Sequence, residues 1–134
     1  MARIDNFIYC LNAMSDSNNG TNAIGIMSAI TPDYIPGTYS FSILFNLMDI
    51  SDGEHLVEIK FNTPDNECLI DLKSNISYTQ NTELKIPREY EGIYICSDWK
   101  NIVFKTSGMY YTEVYLDNIK IDTFNIYVQG KNEV

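Results

Sequence analysis

The sequence predicts an all-β fold: an antiparallel β-sandwich of about eight or nine short strands, immunoglobulin-like or C2-like, formed as a single domain by residues 1–134. Three observations predict it. Ten tyrosines and six phenylalanines favour strands. Apolar and polar residues alternate with a period of two along much of the chain, and turn-forming residues recur about every 8–12 residues. A chain of this length can bury roughly two-thirds of the surface that its unfolded form exposes.

Apolar runs and turn signals place the strands in order. The expected strands lie at about 3–14, 23–30, 38–50, 54–62, 68–72, 90–97 and 102–104, followed by a closing hairpin. Loops are expected over Ser15 to Asn22, around the prolines of 31–37, at 49–54, at 63–66 and at Asp98 to Asn101. The stretch from Lys73 to Arg88 is the least regular, with Ile76 and Tyr78 as possible strand residues.

The closing hairpin, residues 108–130, gives the clearest prediction of side-chain direction. Four residues of one parity should face the core, and their neighbours should face water: Tyr110, Thr112, Val114 and Leu116 against Tyr111, Glu113, Tyr115 and Asp117. Asp117-Asn118 suits a tight turn, because both types tolerate positive φ. The returning strand places Phe124, Ile126 and Val128 inward. Ile119 and Ile121 have the opposite parity, so we expect a bulge near Asp122-Thr123.

The charge balance disfavours two classes of partner. The net charge is −9, and nucleic-acid binding needs clustered lysine and arginine that the chain lacks. Anionic membrane surfaces are disfavoured for the same reason. Arginine occurs only at Arg3 and Arg88. That scarcity is typical of an AT-rich genome and favours a bacterial or phage origin.

Three cysteines, Cys10, Cys68 and Cys96, are an odd number without a C-x-x-C pair, so neither a disulfide framework nor a zinc site is predicted. The first ten residues do not resemble a signal peptide, and no run approaches the roughly 18 apolar residues of a membrane span. We therefore expect a cytoplasmic protein, and no cofactor is indicated.

His55 is the only histidine. A catalytic triad would need a nucleophile and an orienting acid beside it, and no G-x-S-x-G elbow or similar local signature is present. We expect instead a histidine at the start of a strand that caps the core. No catalytic residue is predicted.

Acidic residues gather in two turns: Asp49, Asp52 and Glu54 in one, Asp65 and Glu67 in the next. Calcium needs six to eight oxygen ligands, which neighbouring loops of a sandwich can supply. The strand between these turns is roughly 25 Å long at about 3.3 Å per residue. The two groups should therefore lie at opposite ends of it, and no metal site is predicted.

Aromatic residues supply the one functional hint. Tyr111, Tyr115 and Tyr127, with Tyr94 and Trp99, could form an exposed aromatic patch. Tyrosine and tryptophan are enriched where proteins meet partners, because they bury a large area at low entropic cost. Tyrosine is also an ordinary strand residue, so plain sheet surface remains the alternative.

Three segments together resemble a family of uncharacterised small bacterial β-sandwich domains. These are Phe7-Ile8-Tyr9-Cys10, Asn22-Ala-Ile-Gly25 and the hairpin Gly108-x-Tyr110 to Val114-x-Leu116-Asp117. The resemblance covers nearly the whole chain, although Asn118 stands where many such hairpins have glycine. It implies the sandwich fold, and it implies no activity and no site residue.

These observations favour a non-enzymatic interaction module, in which a sheet face, strand edge or loop end binds a protein partner or a second copy, in a setting such as defence or counter-defence. The alternative is a structural component of a phage particle or another assembly. An enzyme is the third possibility, since sandwiches host many functions.

Overall fold

The computed structural model describes residues 1–16 and 20–133, and it confirms the predicted β-sandwich. Nine strands form within these residues: β1 (Arg3–Asp16), β2 (Gly20–Met27), β3 (Ala29–Ile30), β4 (Gly37–Met48), β5 (Gly53–Asn62), β6 (Cys68–Tyr78), β7 (Gly92–Phe104), β8 (Gly108–Leu116) and β9 (Ile119–Val128). Two short 3-10 turns, Thr82–Leu84 and Arg88–Tyr90, connect β6 to β7.

The strands form two sheets that pack face to face. The four-stranded sheet has the order β2-β1-β4-β7, and the five-stranded sheet has the order β3-β9-β8-β5-β6. All neighbours are antiparallel except the short parallel pair of β3 and β9. The edge strands are therefore β2 and β7 in one sheet, and β3 and β6 in the other.

Period-two alternation builds the core as the sequence predicts. In β4 the side chains of Phe41, Ile43, Phe45 and Leu47 are almost completely buried. Val57, Ile59 and Phe61 of β5 meet them from the opposite sheet within one apolar cluster. Because alternate residues of a strand point to opposite faces, each of these strands contributes its inward-facing set to the core.

The side chains of the closing hairpin point in the predicted directions. Tyr110, Thr112, Val114 and Leu116 are all buried, and Asp117 and Asn118 form the turn with φ of 51° and 68°. The bulge lies one residue earlier than predicted. Val114 pairs with Asp122 and Tyr115 with Lys120, so Ile121 is the extra residue that reverses the parity.

The predicted turn at Asp98 to Asn101 is wrong, because β7 runs through these residues without ending. The register with β4 shifts between Tyr39 and Phe41, and Asn101 absorbs the shift with φ of 54°. Its amide donates to Ser40 Oγ at 2.9 Å. Asparagine tolerates this left-handed conformation, so what the sequence presents as a turn is a bulge within a strand.

Three other boundaries differ from expectation. The strand predicted at 23–30 begins at Gly20 and divides into β2 and β3, which lie in different sheets. The strand predicted at 68–72 continues to Tyr78 and includes the first part of the irregular stretch. The loop expected over Ser15 to Asn22 lies partly outside the described residues. Its described ends are paired strand, with Met14 opposite Asn22 and Ser15 opposite Thr21, because hairpin pairing overrides the preference of serine and asparagine for turns.

Tyr9 of β1 links the two sheets through a buried polar chain. The Thr112 hydroxyl lies within hydrogen-bond distance of Tyr9 Oη, which donates to the carbonyl oxygen of Phe124 at 3.0 Å. The carbonyl can only accept, so the Tyr9 proton points toward Phe124 and the Thr112 hydroxyl donates to Tyr9. Burial raises the pKa of Tyr9 far above its usual range and keeps the phenol neutral.

A second tyrosine fixes the entry to β8. Tyr110 is buried, and its hydroxyl donates to the carbonyl oxygen of Thr106 at 2.7 Å. A tyrosine near the start of a strand that bonds to the backbone just upstream is a hallmark of immunoglobulin-like sandwiches. The Gly108-x-Tyr110 segment therefore has a structural role: its tyrosine holds the chain that leads into β8.

Replacing Tyr9 by phenylalanine should lower the free energy of unfolding by about 1–3 kcal/mol, because it leaves the Phe124 carbonyl and the Thr112 hydroxyl without their partner in a dry interior. Chemical denaturation monitored by Trp99 fluorescence measures the change. Tyr94→Phe is the matched control. Tyr94 is 48% exposed, and its variant should stay within about 0.5 kcal/mol of the wild type. Equal losses in the two variants would contradict the linking role of Tyr9.

Candidate functional site

The five aromatic residues proposed as a patch do not lie together. Trp99 points into the core and is 3% exposed, with its ring centroid 5.3 Å from that of Phe41 and 5.4 Å from that of Phe61. It therefore forms no part of a surface. Tyr94 pairs with Asn46 on the outer face of the four-stranded sheet, on the other side of the molecule from the three remaining tyrosines.

Tyr111, Tyr115 and Tyr127 do share the outer face of the five-stranded sheet. The Tyr111 hydroxyl donates to Asn66 Oδ1 at 2.7 Å, and the Tyr115 hydroxyl donates to Glu113 Oε2 at 3.1 Å. Lys60 Nζ lies 5.2 Å from the centroid of the Tyr115 ring, within cation–π range. These contacts occupy the two central tyrosines within the protein itself.

Charged groups complete this outer face. Glu58 is 9% exposed, and a hydrogen bond with Asp71 together with burial raises its pKa above the ordinary value. Lys60 and Lys73 approach the same carboxylate at 3.9 and 4.0 Å. The central residues of this face thus contact one another, while the Lys73 side chain at its border remains 61% exposed.

His55, at the start of β5, is 8% exposed and is held from both sides. Its Nδ1 lies 2.7 Å from Asp117 Oδ2, and its Nε2 lies 2.6 Å from the carbonyl oxygen of Ser51. Asp117 also accepts a hydrogen bond from the Leu56 amide at 2.9 Å. The histidine thereby joins the 49–54 loop to the turn between β8 and β9.

The Ser51, His55 and Asp117 side chains follow the connectivity of a catalytic triad. The hydrogen bonds of the ring differ from those of a triad, because Nε2 faces the Ser51 carbonyl oxygen. A carboxylate and a carbonyl oxygen can only accept, so both ring nitrogens must carry hydrogen. Ser51 Oγ lies 3.4 Å from Nε2 and finds no lone pair there to take its proton. In agreement, the bond to Asp117 raises the pKa of His55, and the same bond lowers the pKa of Asp117.

The two acidic turns lie at opposite ends of β5, as their spacing predicts. In the first, Asp52 forms an ion pair with Arg88 at 3.1 Å and accepts a hydrogen bond from the Gln80 amide at 2.9 Å. The hydrogen bond from Arg88 lowers the pKa of Asp52. Among residues 1–16 and 20–133 no three histidine, cysteine, aspartate or glutamate side chains are arranged to hold a metal ion.

A groove opens along one side of the sandwich, between the edge strands β6 and β7. Its volume is about 260 Å³, and its floor is Val57 and Ile59 of the core. Leu72 pairs with Ile59 and so points inward, yet it remains 42% exposed. Ile76 and Ile95 line the same space. An inward-facing leucine left this accessible indicates that the two sheets do not close over each other here.

Two serines explain the opening. Ser74 of β6 pairs with Val57, and Ser97 of β7 pairs with Ile43, so both occupy inward positions where large apolar residues would close the core. Both line the groove. Their side chains are too small to bridge the sheets, and the core residues behind them remain reachable from outside.

A wider depression of about 410 Å³ lies near the 31–37 connection and includes Asp33, Tyr34 and Lys131. Lys131 Nζ lies 3.4 Å from Asp33 Oδ1, so the charges of these two side chains neutralise each other. The β6–β7 groove is therefore the stronger candidate of these two, since the core residues Val57 and Ile59 line it.

The model of a family of unknown function, DUF6941, matches residues 5–129. The chain belongs to this family. The match confirms the resemblance to an uncharacterised family that the sequence suggested, and DUF6941 carries no assigned activity.

Two solved structures are similar to this DUF6941 chain in outline. One is an immunoglobulin-like protein from Pseudomonas aeruginosa, with 12% identity, a TM-score of 0.49, and coverage of 96% of this chain and 97% of that one. The other is the CARDB domain of a Pyrococcus furiosus protein in complex with di-metal ions, with 10% identity, a TM-score of 0.41, and coverage of 92% and 88%. No curated protein matches the chain. Within the described residues no helix is long and apolar enough to cross a membrane.

Sequence reasoning missed the groove of the DUF6941 chain for an identifiable reason. The composition of Lys73 to Arg88 predicts an irregular stretch, and without a predicted strand the direction of Ser74 is undefined. The available signal is the pattern Ile70, Leu72, Ser74, Ile76 and Tyr78, one parity of a strand with a small polar residue in the middle.

The His55 contacts predict a pH dependence of stability. The folded-state pKa of His55 lies above its ordinary value of 6.5, so its stabilising effect is complete below about pH 6.5 and is lost as the pH rises through the folded-state value. The folded-state pKa of Asp117 lies below its ordinary 3.8, so its effect is complete above that value and is lost as the pH falls. The pair should contribute most between these two limits.

Urea denaturation of the wild type and of His55→Gln, measured at mildly acidic and at alkaline pH, tests this. The wild type should be more stable by about 1–3 kcal/mol near pH 6, the usual cost of removing one partner of such a bond, and the difference should shrink at high pH. A difference that does not change with pH would show that His55 acts only by packing.

Proposed function

We propose that this protein is a non-enzymatic interaction module that binds a short segment of a partner protein in the β6–β7 groove. The segment would insert one or two large apolar side chains between the sheets and place a carboxylate beside Lys73. The observation that carries the proposal is the exposure of inward-facing Leu72 above the core residues Val57 and Ile59.

The size of the groove supports a side-chain anchor over a free small molecule. Sites for drug-sized ligands have volumes of roughly 300–1,000 Å³, and this groove offers about 260 Å³. Protein interfaces commonly place a few apolar anchors in such pockets, where they carry most of the binding energy. Covering Leu72, Ile76 and Ile95 would supply that energy through the burial of apolar surface.

The charge at the rim supports an acidic neighbour to the anchor. Lys73 is the charged residue that lines the groove. Its side chain is 61% exposed, and its nearest carboxylate oxygen, on Glu58, is 4.0 Å away. An incoming carboxylate can approach it more closely, and an ion pair at the rim contributes mainly to specificity and to the association rate.

The state of the only histidine supports the non-enzymatic part of the proposal. Both ring nitrogens of His55 are engaged, Nδ1 by Asp117 and Nε2 by the Ser51 carbonyl oxygen, so neither is free to act as a general base toward a substrate.

A displayed library of random peptides, selected against the purified protein, tests the proposal. Enriched peptides should share a large apolar residue next to aspartate or glutamate. Ser74→Phe places a ring in the groove without disturbing the closed part of the core. It should weaken binding of the selected peptides at least tenfold, which corresponds to about 1.4 kcal/mol.

Asn75→Phe is the matched control, because Asn75 is the next residue of β6 and pairs with Leu56, so it points to the outer face of the sheet. It should leave the affinity unchanged. Peptides that bind Ser74→Phe as tightly as the wild type, or lose affinity only with Asn75→Phe, would contradict the groove as the site.

A further inference from the structure

The depression beside the 31–37 connection, with a volume of about 410 Å³, differs from the β6–β7 groove in the chemistry of its lining. Sites for small ligands have volumes of roughly 300–1,000 Å³, so this one can hold a small molecule or one unit of a polymer. Apart from Gly37, every residue in its lining has a hydrogen-bonding side chain: Thr31, Asp33, Tyr34, Thr38, Tyr39 and Lys131. Such a lining favours a polar ligand.

The two charges of the depression favour a ligand without net charge. Asp33 and Lys131 lie 3.4 Å apart, with side chains that are 79% and 63% exposed. An anion placed beside this pair would meet the carboxylate, and a cation would meet the ammonium group. A hydroxyl group can donate to Asp33 and accept from Lys131, because it is both a donor and an acceptor. The pair therefore suits a neutral ligand that carries hydroxyl groups.

Tyr34 supplies an open aromatic face. It is 70% exposed, more than any other tyrosine of the chain. The face of an aromatic ring carries partial negative charge, which attracts the polarised C–H bonds on the face of a sugar ring. Tyr39 lies in the same lining, and its hydroxyl donates to Met27 Sδ at 3.7 Å. A ligand with hydroxyl groups around its rim and C–H bonds on its face matches both the ion pair and the aromatic ring.

The backbone that carries Tyr34 is anchored on both sides. The Lys131 amide donates to the Pro32 carbonyl oxygen at 2.8 Å. The Asn132 side chain accepts from the Ile35 amide at 3.0 Å and donates to the Ile35 carbonyl oxygen at 3.2 Å, and Ile35 itself is buried. Tyr34 is therefore displayed from a fixed loop. A site that is formed before binding loses less entropy when the ligand arrives.

We propose that this depression binds a neutral saccharide, either a free sugar or a unit of a larger glycan. The sugar ring stacks on Tyr34, and its hydroxyl groups form hydrogen bonds with Asp33 and Lys131. This function is additional to the binding of a peptide in the β6–β7 groove, because the depression and the groove share no lining residue.

A microarray of neutral and anionic oligosaccharides, probed with the fluorescently labelled protein, tests the proposal. Neutral members should be retained, and anionic ones should not. The free form of each retained oligosaccharide is then titrated into the protein, and the amide chemical shifts of residues 31–39 and 129–132 are followed. Shifts in these residues assign the site to soluble sugars, whereas retention on the array without such shifts assigns it to glycans displayed on a surface.

Variants of Tyr34 separate stacking from a purely structural role. Tyr34→Ala should weaken binding of the retained oligosaccharides about tenfold, because it removes the aromatic face. Tyr34→Phe keeps that face and should bind like the wild type. Tyr90→Ala is the matched control. Tyr90 is 64% exposed and lies in the connection between β6 and β7, so its variant should also bind like the wild type.

Three outcomes would overturn the proposal: retention of no neutral oligosaccharide, retention of anionic ones alone, or unchanged binding by Tyr34→Ala. Free glycine tests the competing ligand class, since a zwitterion can also span Asp33 and Lys131. Amide shifts in the depression with glycine and with no oligosaccharide would overturn it as well. Ser74→Phe should bind oligosaccharides like the wild type, and Tyr34→Ala should bind the selected peptides like the wild type. Each proposal therefore stands or fails by its own test.

Discussion

The two sheets are held together by aromatic packing around Phe41 and Phe61, and the remaining architecture depends on this contact. The two rings, one from each sheet, meet edge to face with centroids 5.5 Å apart. Trp99, Phe104 and Tyr110 pack around them at centroid distances of 5.3 to 6.3 Å. Edge-to-face and offset contacts of this kind add to the free energy of burial. They close the sandwich firmly at this end.

The same contact determines where the sandwich is open. β7 reaches the core through Trp99, and two residues earlier the inward position is Ser97. β6 likewise places Ser74 inward between Leu72 and Ile76. The aromatic cluster fixes the separation of the sheets, and the serines are too short to span it. The groove is thus a consequence of rigid packing beside it. Under the proposed function, a groove preformed in this way would lower the entropic cost of binding.

Local patterns predicted most of the fold and little of the site. Parity along Thr38 to Ile50 and along the closing hairpin identified which side chains are buried, because alternation is a property of the strand itself. The sequence predicts a surface position for Trp99, because Asp98 to Asn101 has the composition of a turn. Only the pairing with β4 shows that these residues continue a strand. A local pattern could show that Ser74 faces inward, but the groove also needs Ser97 of β7, and only the fold brings these two distant strands together.

The His55 contacts show the same limit. The sequence indicated a histidine at a strand start, but its partner Asp117 is 62 residues away. Which protons the ring carries follows only once both acceptors are known. Asp117 was recognised from sequence as a turn residue, and its second role, anchoring that turn to β5, comes from the sheet order that brings β5 and β8 together.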